Sequence, residues 1–159
     1  MVDSTSFLTA EGFEKLKAEL EYLKTAKRQE VAEKIRNAKE DGDISENAGY
    51  DQAKEDQAFV EGRIITLTGI LRTAVIIENN GPSDRVGLGS RVTVVEVDGD
   101  WRSSPETYHV VGSTEADPSS GRISNESPLG QVLLGREVGE QVAVDAPSGQ
   151  IYFEIININ

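Results

Sequence analysis

Two lines of apolar residues mirror each other across residue 45 and constrain the first half of this chain to an antiparallel helical hairpin. Between Thr9 and about Ala74 there is no proline, and Glu, Lys, Ala and Leu dominate, so long helices are expected. The first line runs Leu16, Leu20, Leu23, the stem of Lys27, Val31, Ile35 and Ala38, nearly heptad with one slip. The second, Ala53, Gln57, Val60, Ile64, Leu67, Leu71 and Ala74, alternates steps of four and three without a break, the spacing of a coiled-coil seam. Pairing 38 with 53, and so on outward to 16 with 74, gives index sums of 90 to 92, and a near-constant sum means antiparallel folding. A single bent helix or a parallel dimer seam requires no such agreement, although heptads alone are also compatible with an intermolecular coil. Thr9 is placed to cap the first helix, with Leu8 stapling onto Phe13. At a rise of about 1.5 Å per residue, the arm from Leu16 to the bend reaches on the order of 45 Å.

After the apolar run Val75 to Ile77, the segment Asn79, Asn80, Gly81, Pro82 breaks both helix and strand patterns. The expected division is therefore a hairpin domain over residues 1–78 and a second domain over 79–159. In the latter, VTVVEV (92–97), ETYHVVG (106–112), QVAVDA (141–146) and QIYFEIINI (150–158) read as strands. Asp98-Gly99-Asp100 and the Pro-Ser-Gly at 147–149 supply turns. Ser127 as N-cap, Pro128 at the first helical position and Gly135 as terminator bracket one short helix. The fold class expected is α+β: a long antiparallel coiled-coil hairpin followed by a small antiparallel sheet with one helix.

Charge and residue usage exclude several functions. With 16 basic and 28 acidic residues the net charge is -12, which argues against non-specific wrapping of nucleic acid, so any RNA or DNA contact must be local. The basic residues concentrate on the hairpin: 11 against 16 acidic over residues 1–80, but 5 against 12 over residues 81–159. No run approaches the length of a membrane span, and the opening MVDSTSFLTAEG lacks the features of a secretion signal, so no membrane partner and a cytoplasmic location are expected. The absence of cysteine removes disulfides, thiolate metal sites and cysteine nucleophiles. The single histidine, His109, leaves no material for a histidine triad or zinc site and is expected in a packing or surface role.

The bend is acidic: Glu40, Asp41, Asp43 and Glu46 lie at or beside it, flanked by Lys39 and Lys54. Gly42 is suited to end the first helix, and Asp43 with Glu46 three positions on matches a capping box opening the second. Those roles, or plain solvation, account for the acidic residues without chemistry. The competing reading is a divalent-cation site made of hard carboxylate oxygens. An EF-hand does not fit, since a loop begun at Asp41 has Gly at its second position and Gln52 where a bidentate Glu is needed. Two carboxylates on an exposed tip make half a site of the kind Mg²⁺ shares with a phosphate-bearing partner. A long arm ending in half a site suggests insertion into a macromolecule that supplies the remainder.

GDISEN followed by AGY, then FVEGRI at 59–64, resembles the GDxxEN…Y…EGRI signature of the bacterial Gre transcript-cleavage factors. The resemblance extends through LTAEGFEKLKAEL (8–20) and ISNESPLGQVLLGREVGE (123–140), so it covers essentially the whole chain. It implies an FKBP-like second domain that binds bacterial RNA polymerase and a coiled coil that enters the polymerase's secondary channel. It also implies that Asp43 and Glu46 help hold a Mg²⁺ shared with the polymerase, not tightly bound by the free protein, and that the pair serves cleavage of the nascent RNA near its 3′ end in a backtracked complex. The factor is then a coactivator of the polymerase and not a nuclease by itself. By the same match Asn47 and Tyr50 shape the tip or contact the RNA end, and Lys39 and Lys54 attract the extruded RNA. Local capping, helix packing and solvation remain open for these four. Gly49 departs from the Glu that many members carry, which removes an acidic group from the tip and weakens the second helix locally. A non-cleaving channel regulator and a peptidyl-prolyl isomerase are alternatives; the second would need Trp101, Tyr108, Tyr152 and Phe153 to line a common pocket.

Overall fold

The computed structural model describes residues 5–42, 47–78 and 83–159. It has the expected α+β architecture and divides into two compact units: Phe13–Ala74, and Thr5–Gly12 together with Val75–Asn159.

The first unit is the helical hairpin. Its outgoing arm comprises α1 (Ala10–Tyr22), a π-helical turn (Leu23–Lys27) and α2 (Arg28–Glu40), and its return arm is α3 (Ala48–Arg72). Thr9 caps α1, its Oγ1 accepting from the Gly12 amide at 3.0 Å. Leu23, Val31, Val60, Ile64 and Leu67 form the buried seam, with Leu16, Leu20 and Ile35 packed against it. Ala38 and Ala53 close the seam toward the bend, both buried. The slip in the first apolar line has a physical cause. From Leu23 to Ala38 the outgoing arm spends 15 positions, whereas the return arm covers the matching stretch, Ala53 to Leu67, in 14. One surplus residue must be absorbed without rotating the seam out of contact, and a π turn, which holds one more residue than an α turn, does so.

Ion pairs outside the seam hold its register. Arg28 donates from Nε and Nη2 to the two carboxylate oxygens of Glu61, both at 2.8 Å, and Arg63 does the same to Glu19 at 2.8 and 3.0 Å. Bidentate geometry constrains translation of one arm along the other more tightly than a point charge does. Lys34 lies 3.2 Å from Glu30 and 3.8 Å from Asp56, and Lys34, then Lys27, hold Glu30 below the usual carboxylate range.

The return helix ends at Arg72, earlier than the apolar line extends, because Ala74 opens a strand, β2 (Ala74–Ile77), which pairs with β1 (Ser6–Thr9). That pairing joins the chain just before the hairpin to the chain just after it, and it places most of both strands in the second unit.

In that unit β3 (Arg91–Asp98), β5 (Glu106–Val111), β6 (Arg122–Ser124), β7 (Gln141–Ala146) and β8 (Gly149–Ile158) form a sheet in the order β6-β5-β3-β8-β7, with the two-residue β4 (Trp101–Arg102) on β3. Every pair is antiparallel except β5 with β6, which is parallel. The sheet is thus not purely antiparallel as expected, since the return from β5 crosses through two short 3₁₀ turns, Ser113–Glu115 and Pro118–Ser120, before β6. The turns at 98–100 and 147–149 are as expected, with Gly99 at φ +61° and Gly149 at φ +123°. So is α4 (Pro128–Leu133), whose N-cap Ser127 accepts from the Gly130 amide at 3.1 Å. One face of the sheet carries the core, Val92, Val94, Val110, Ile123, Val142, Ile155 and Ile158, and Leu133 of α4 packs with them.

Candidate functional site

The apex of the hairpin is built from two helix ends. α2 finishes at Glu40 with Asp41 as its C-cap, the Asp41 amide donating to the Asn37 carbonyl at 3.1 Å. Gly42 follows at φ +142°, a conformation that disfavours any side chain and stops the helix. Asp43 and Glu46 lie outside the described residues. The capping-box expectation is corrected by the start of α3: its first residue is Ala48 and its N-cap is Asn47, in extended conformation at φ -94°, ψ 99°. An extended Asx residue whose carboxamide reaches the third helical amide meets all the needs of a cap.

The Asn47 side chain does more than cap. Oδ1 accepts from the Tyr50 amide at 3.1 Å, and Nδ2 donates to the Ala38 carbonyl at 2.6 Å. The Asn47 carbonyl accepts the first intrahelical bond, from the Asp51 amide at 3.1 Å. One residue therefore satisfies a leftover carbonyl of α2 and a leftover amide of α3. The sequence pattern singled out Asn47 but not this double role, since the mirrored seam pairs 38 with 53 and carries no signal for its approach to 47.

The remaining expected site residues are distributed about this apex. Lys39 is exposed in the last turn of α2. Lys54 is exposed on α3 and donates to Oε1 of Gln57, the polar member of the seam, at 2.8 Å. Tyr50 is half-buried in the first turn of α3, and Glu40, Asp41 and Asp51 are exposed beside it in sequence. Gly49 is also exposed, and a Cβ built on it would lie 3.2 Å from Asn47 Oδ1.

The second unit does not gather its aromatic side chains. Tyr108 and Phe153 pack against the core, whereas Trp101 and Tyr152 are exposed, and Tyr152 precedes Phe153 on the same strand and so faces the other side of the sheet. Burial, and then its bond to Glu106, push Tyr108 up to about 12. His109 lies on β5 between Arg91 and Arg122 on the flanking strands, half-buried, in the packing role expected of it. No helix among the described residues is long and apolar enough to cross a membrane.

Comparison with known proteins agrees with both units. The family model described as "Transcription elongation factor, N-terminal" matches residues 6–76, and "Transcription elongation factor, GreA/GreB, C-term" matches residues 81–159. Transcription elongation factor GreA of Bacillus subtilis is 54% identical over 153 residues, covering 96% of this chain and 95% of that protein. GreA of Oceanobacillus iheyensis is 50% identical over 159 residues, covering 99% and 98%. Among solved structures, the GreA factor homolog 1 (Gfh1) protein of Thermus thermophilus is 31% identical, covers 98% of this chain and 99% of its own, and has a TM-score of 0.44. The two family models together span nearly the whole sequence, and the curated relatives match end to end; the chain belongs to the GreA/GreB family of transcription elongation factors.

Proposed function

We propose that this elongation factor inserts its hairpin into the secondary channel of bacterial RNA polymerase and stimulates the polymerase's own Mg²⁺-dependent cleavage of backtracked RNA, rescuing arrested complexes. The observation that carries this reading is the position of the acidic segment: DGDISEN joins the ends of α2 and α3, at the far end of a helical arm. In this reading Asp43 and Glu46 present hard oxygen donors, the chemistry Mg²⁺ requires, and the polymerase completes the coordination. The chemistry supplied by the shared ion is activation of a water and stabilisation of charge on the scissile phosphate. This chain's own parts are to carry the carboxylates to the RNA, to draw the extruded 3′ end with the exposed ammonium groups of Lys39 and Lys54, and to offer the Tyr50 ring to a base. The factor is a coactivator, the second domain is its polymerase-binding module, and the reaction places it in the cytoplasm with the polymerase.

The test is to incubate a backtracked complex of the cognate polymerase with the protein and Mg²⁺. Release of short RNA 3′ fragments is expected, with loss of release but retained polymerase binding in a variant carrying Asp43→Ala and Glu46→Ala. No release by the unsubstituted protein overturns the reading. Regulation left unchanged by the double substitution points instead to a channel-occupying regulator that does not cleave.

A further inference from the structure

We infer that Asn47 is a positioning residue whose carboxamide ties the last turn of α2 to the first turn of α3, and that a side chain at 49 would press on that clasp. The inference deepens the cleavage reading above and rests on it for its functional consequence.

A capping side chain needs only an acceptor, and Asp, Ser or Thr at position 47 would serve the Tyr50 amide equally well. Only a carboxamide adds a donor on the same rigid group, and here the donor is used, on the Ala38 carbonyl at 2.6 Å. The orientation of the amide is fixed by its partners, since the flipped form would face N–H to N–H at Tyr50 and oxygen to oxygen at Ala38. The two anchor points belong to rigid elements. Ala38 is buried at the last seam position of α2, and Tyr50 lies in the first turn of α3. The small buried side chains at 38 and 53 permit the close helix approach that a single carboxamide has to bridge. With both anchors held, the end of α2 and the start of α3 are fixed relative to each other.

Gly49 supplies the second observation. Glycine is the least favourable residue in a helix after proline, yet it occupies the first turn of α3, at an exposed position. Near its missing Cβ lies the clasp oxygen, Asn47 Oδ1, at 3.2 Å, tight enough that the carboxamide would have to give by a few tenths of an ångström. In this chain glycine at 49 leaves the carboxamide uncrowded, at a cost in local helix propensity.

The experiment compares the full-length protein with Asn47→Ser and Asn47→Asp, both of which keep the cap and lose the amide N–H that reaches Ala38, Asp having no donor and the Ser hydroxyl lying one bond nearer the backbone and already engaged as the cap. In cleavage assays at subsaturating Mg²⁺ both variants are expected to lose rate roughly tenfold to a hundredfold, the effect of a small misplacement of reacting groups. Raising Mg²⁺ should recover much of the loss, and competition for polymerase binding should be unaltered. In the free protein, hydrogen exchange at the Asp41 amide, which closes the last turn of α2, should accelerate in both variants. Cleavage equal to the unsubstituted protein at subsaturating Mg²⁺ overturns the inference, as does a loss that excess Mg²⁺ leaves untouched, which would mark Asn47 as an RNA contact. If the unsubstituted protein releases no RNA, the cleavage reading fails, and unchanged exchange at Asp41 still separately refutes the clasp.

Discussion

The Glu115 carboxylate holds Thr9 by two hydrogen bonds, Oε2 accepting from the Thr9 amide at 2.6 Å and Oε1 from its hydroxyl at 2.7 Å. The same hydroxyl accepts from the Gly12 amide, so the cap of α1 is itself oriented by a residue far along the chain in the first 3₁₀ turn after β5. A carboxylate suits this place because both of its partners are donors and because it lies at the positive end of a helix. Glu115→Ala is expected to destabilise the unit containing both residues by about 1.5–3 kcal/mol, the range for a charged acceptor. Glu115→Gln should recover only part of that, since its amide nitrogen can only donate, so the Thr9 hydroxyl must give up its own donation and accept instead, and the negative charge at the helix start is lost. Urea unfolding followed by tryptophan fluorescence measures both, and a Gln variant as stable as the parent would refute the double-acceptor role.

How far these features were legible in the sequence depends on how local their causes are. The seam could be read because each position is set by helical periodicity alone, and its slip was visible, but the π turn that absorbs it was not, since periodicity reports the surplus residue without saying how the backbone accommodates it. Strands β1, β2 and β6 went unread because each is only three or four residues long and is stabilised by a partner distant in sequence. The parallel pairing of β5 with β6 depends on the crossover between them, which no alternation pattern records. At the tip, Asp43 with Glu46 fits the capping-box pattern and Asn47 with Tyr50 does not, yet Asn47 starts the helix, because an Asx cap works without a Glu three positions on and this one is also held by the Ala38 carbonyl.

The π turn leads to a deletion experiment. Removing Thr25 leaves the outgoing arm with the same number of positions between Leu23 and Ala38 as the return arm has between Ala53 and Leu67. An uninterrupted α-helix then carries the seam, and the expected result is retained helix content and thermal stability with cleavage stimulation preserved. Deleting Ala58 from α3, which has no surplus residue, should rotate every later seam position by about 100° and unfold the hairpin. Circular dichroism melts of the two deletions decide the matter; equal damage by both would mean that the π turn is not a register correction.

His109 makes stability depend on pH. Burial holds its imidazole below the ordinary value of 6.5, Arg91 pushes it the same way, the Gly89 backbone and Glu115 oppose, and Arg122 adds to the lowering. As pH falls, the unfolded chain therefore binds a proton at this residue before the folded chain does. The contribution is fully present above about 6.5 and is lost as pH falls through the lower folded value. The urea midpoint of the second unit should thus be lower at pH 5.5 than at pH 7.5, and His109→Asn should flatten that difference. An unchanged slope in the variant would assign the dependence to other groups.

Gly49 and Asn47 should be energetically coupled, and a double-mutant cycle measures by how much. Taken alone, Gly49→Ala ought to stabilise α3 by up to ~1 kcal/mol, the gap between the two residues in helix propensity. Its new methyl carbon, however, would lie 3.2 Å from Asn47 Oδ1, so the carboxamide must shift and its bonds to Tyr50 and Ala38 lengthen. The expected net gain in the parent is therefore small. In an Asn47→Ser background there is no carboxamide to displace, and the full propensity gain should appear. The difference between the two gains is the coupling, expected at about 0.5 kcal/mol or more for groups in direct contact. Guanidinium unfolding monitored by helix content gives all four corners. Equal gains in both backgrounds would show that glycine at 49 is indifferent to the clasp and owes its place at the tip to something else.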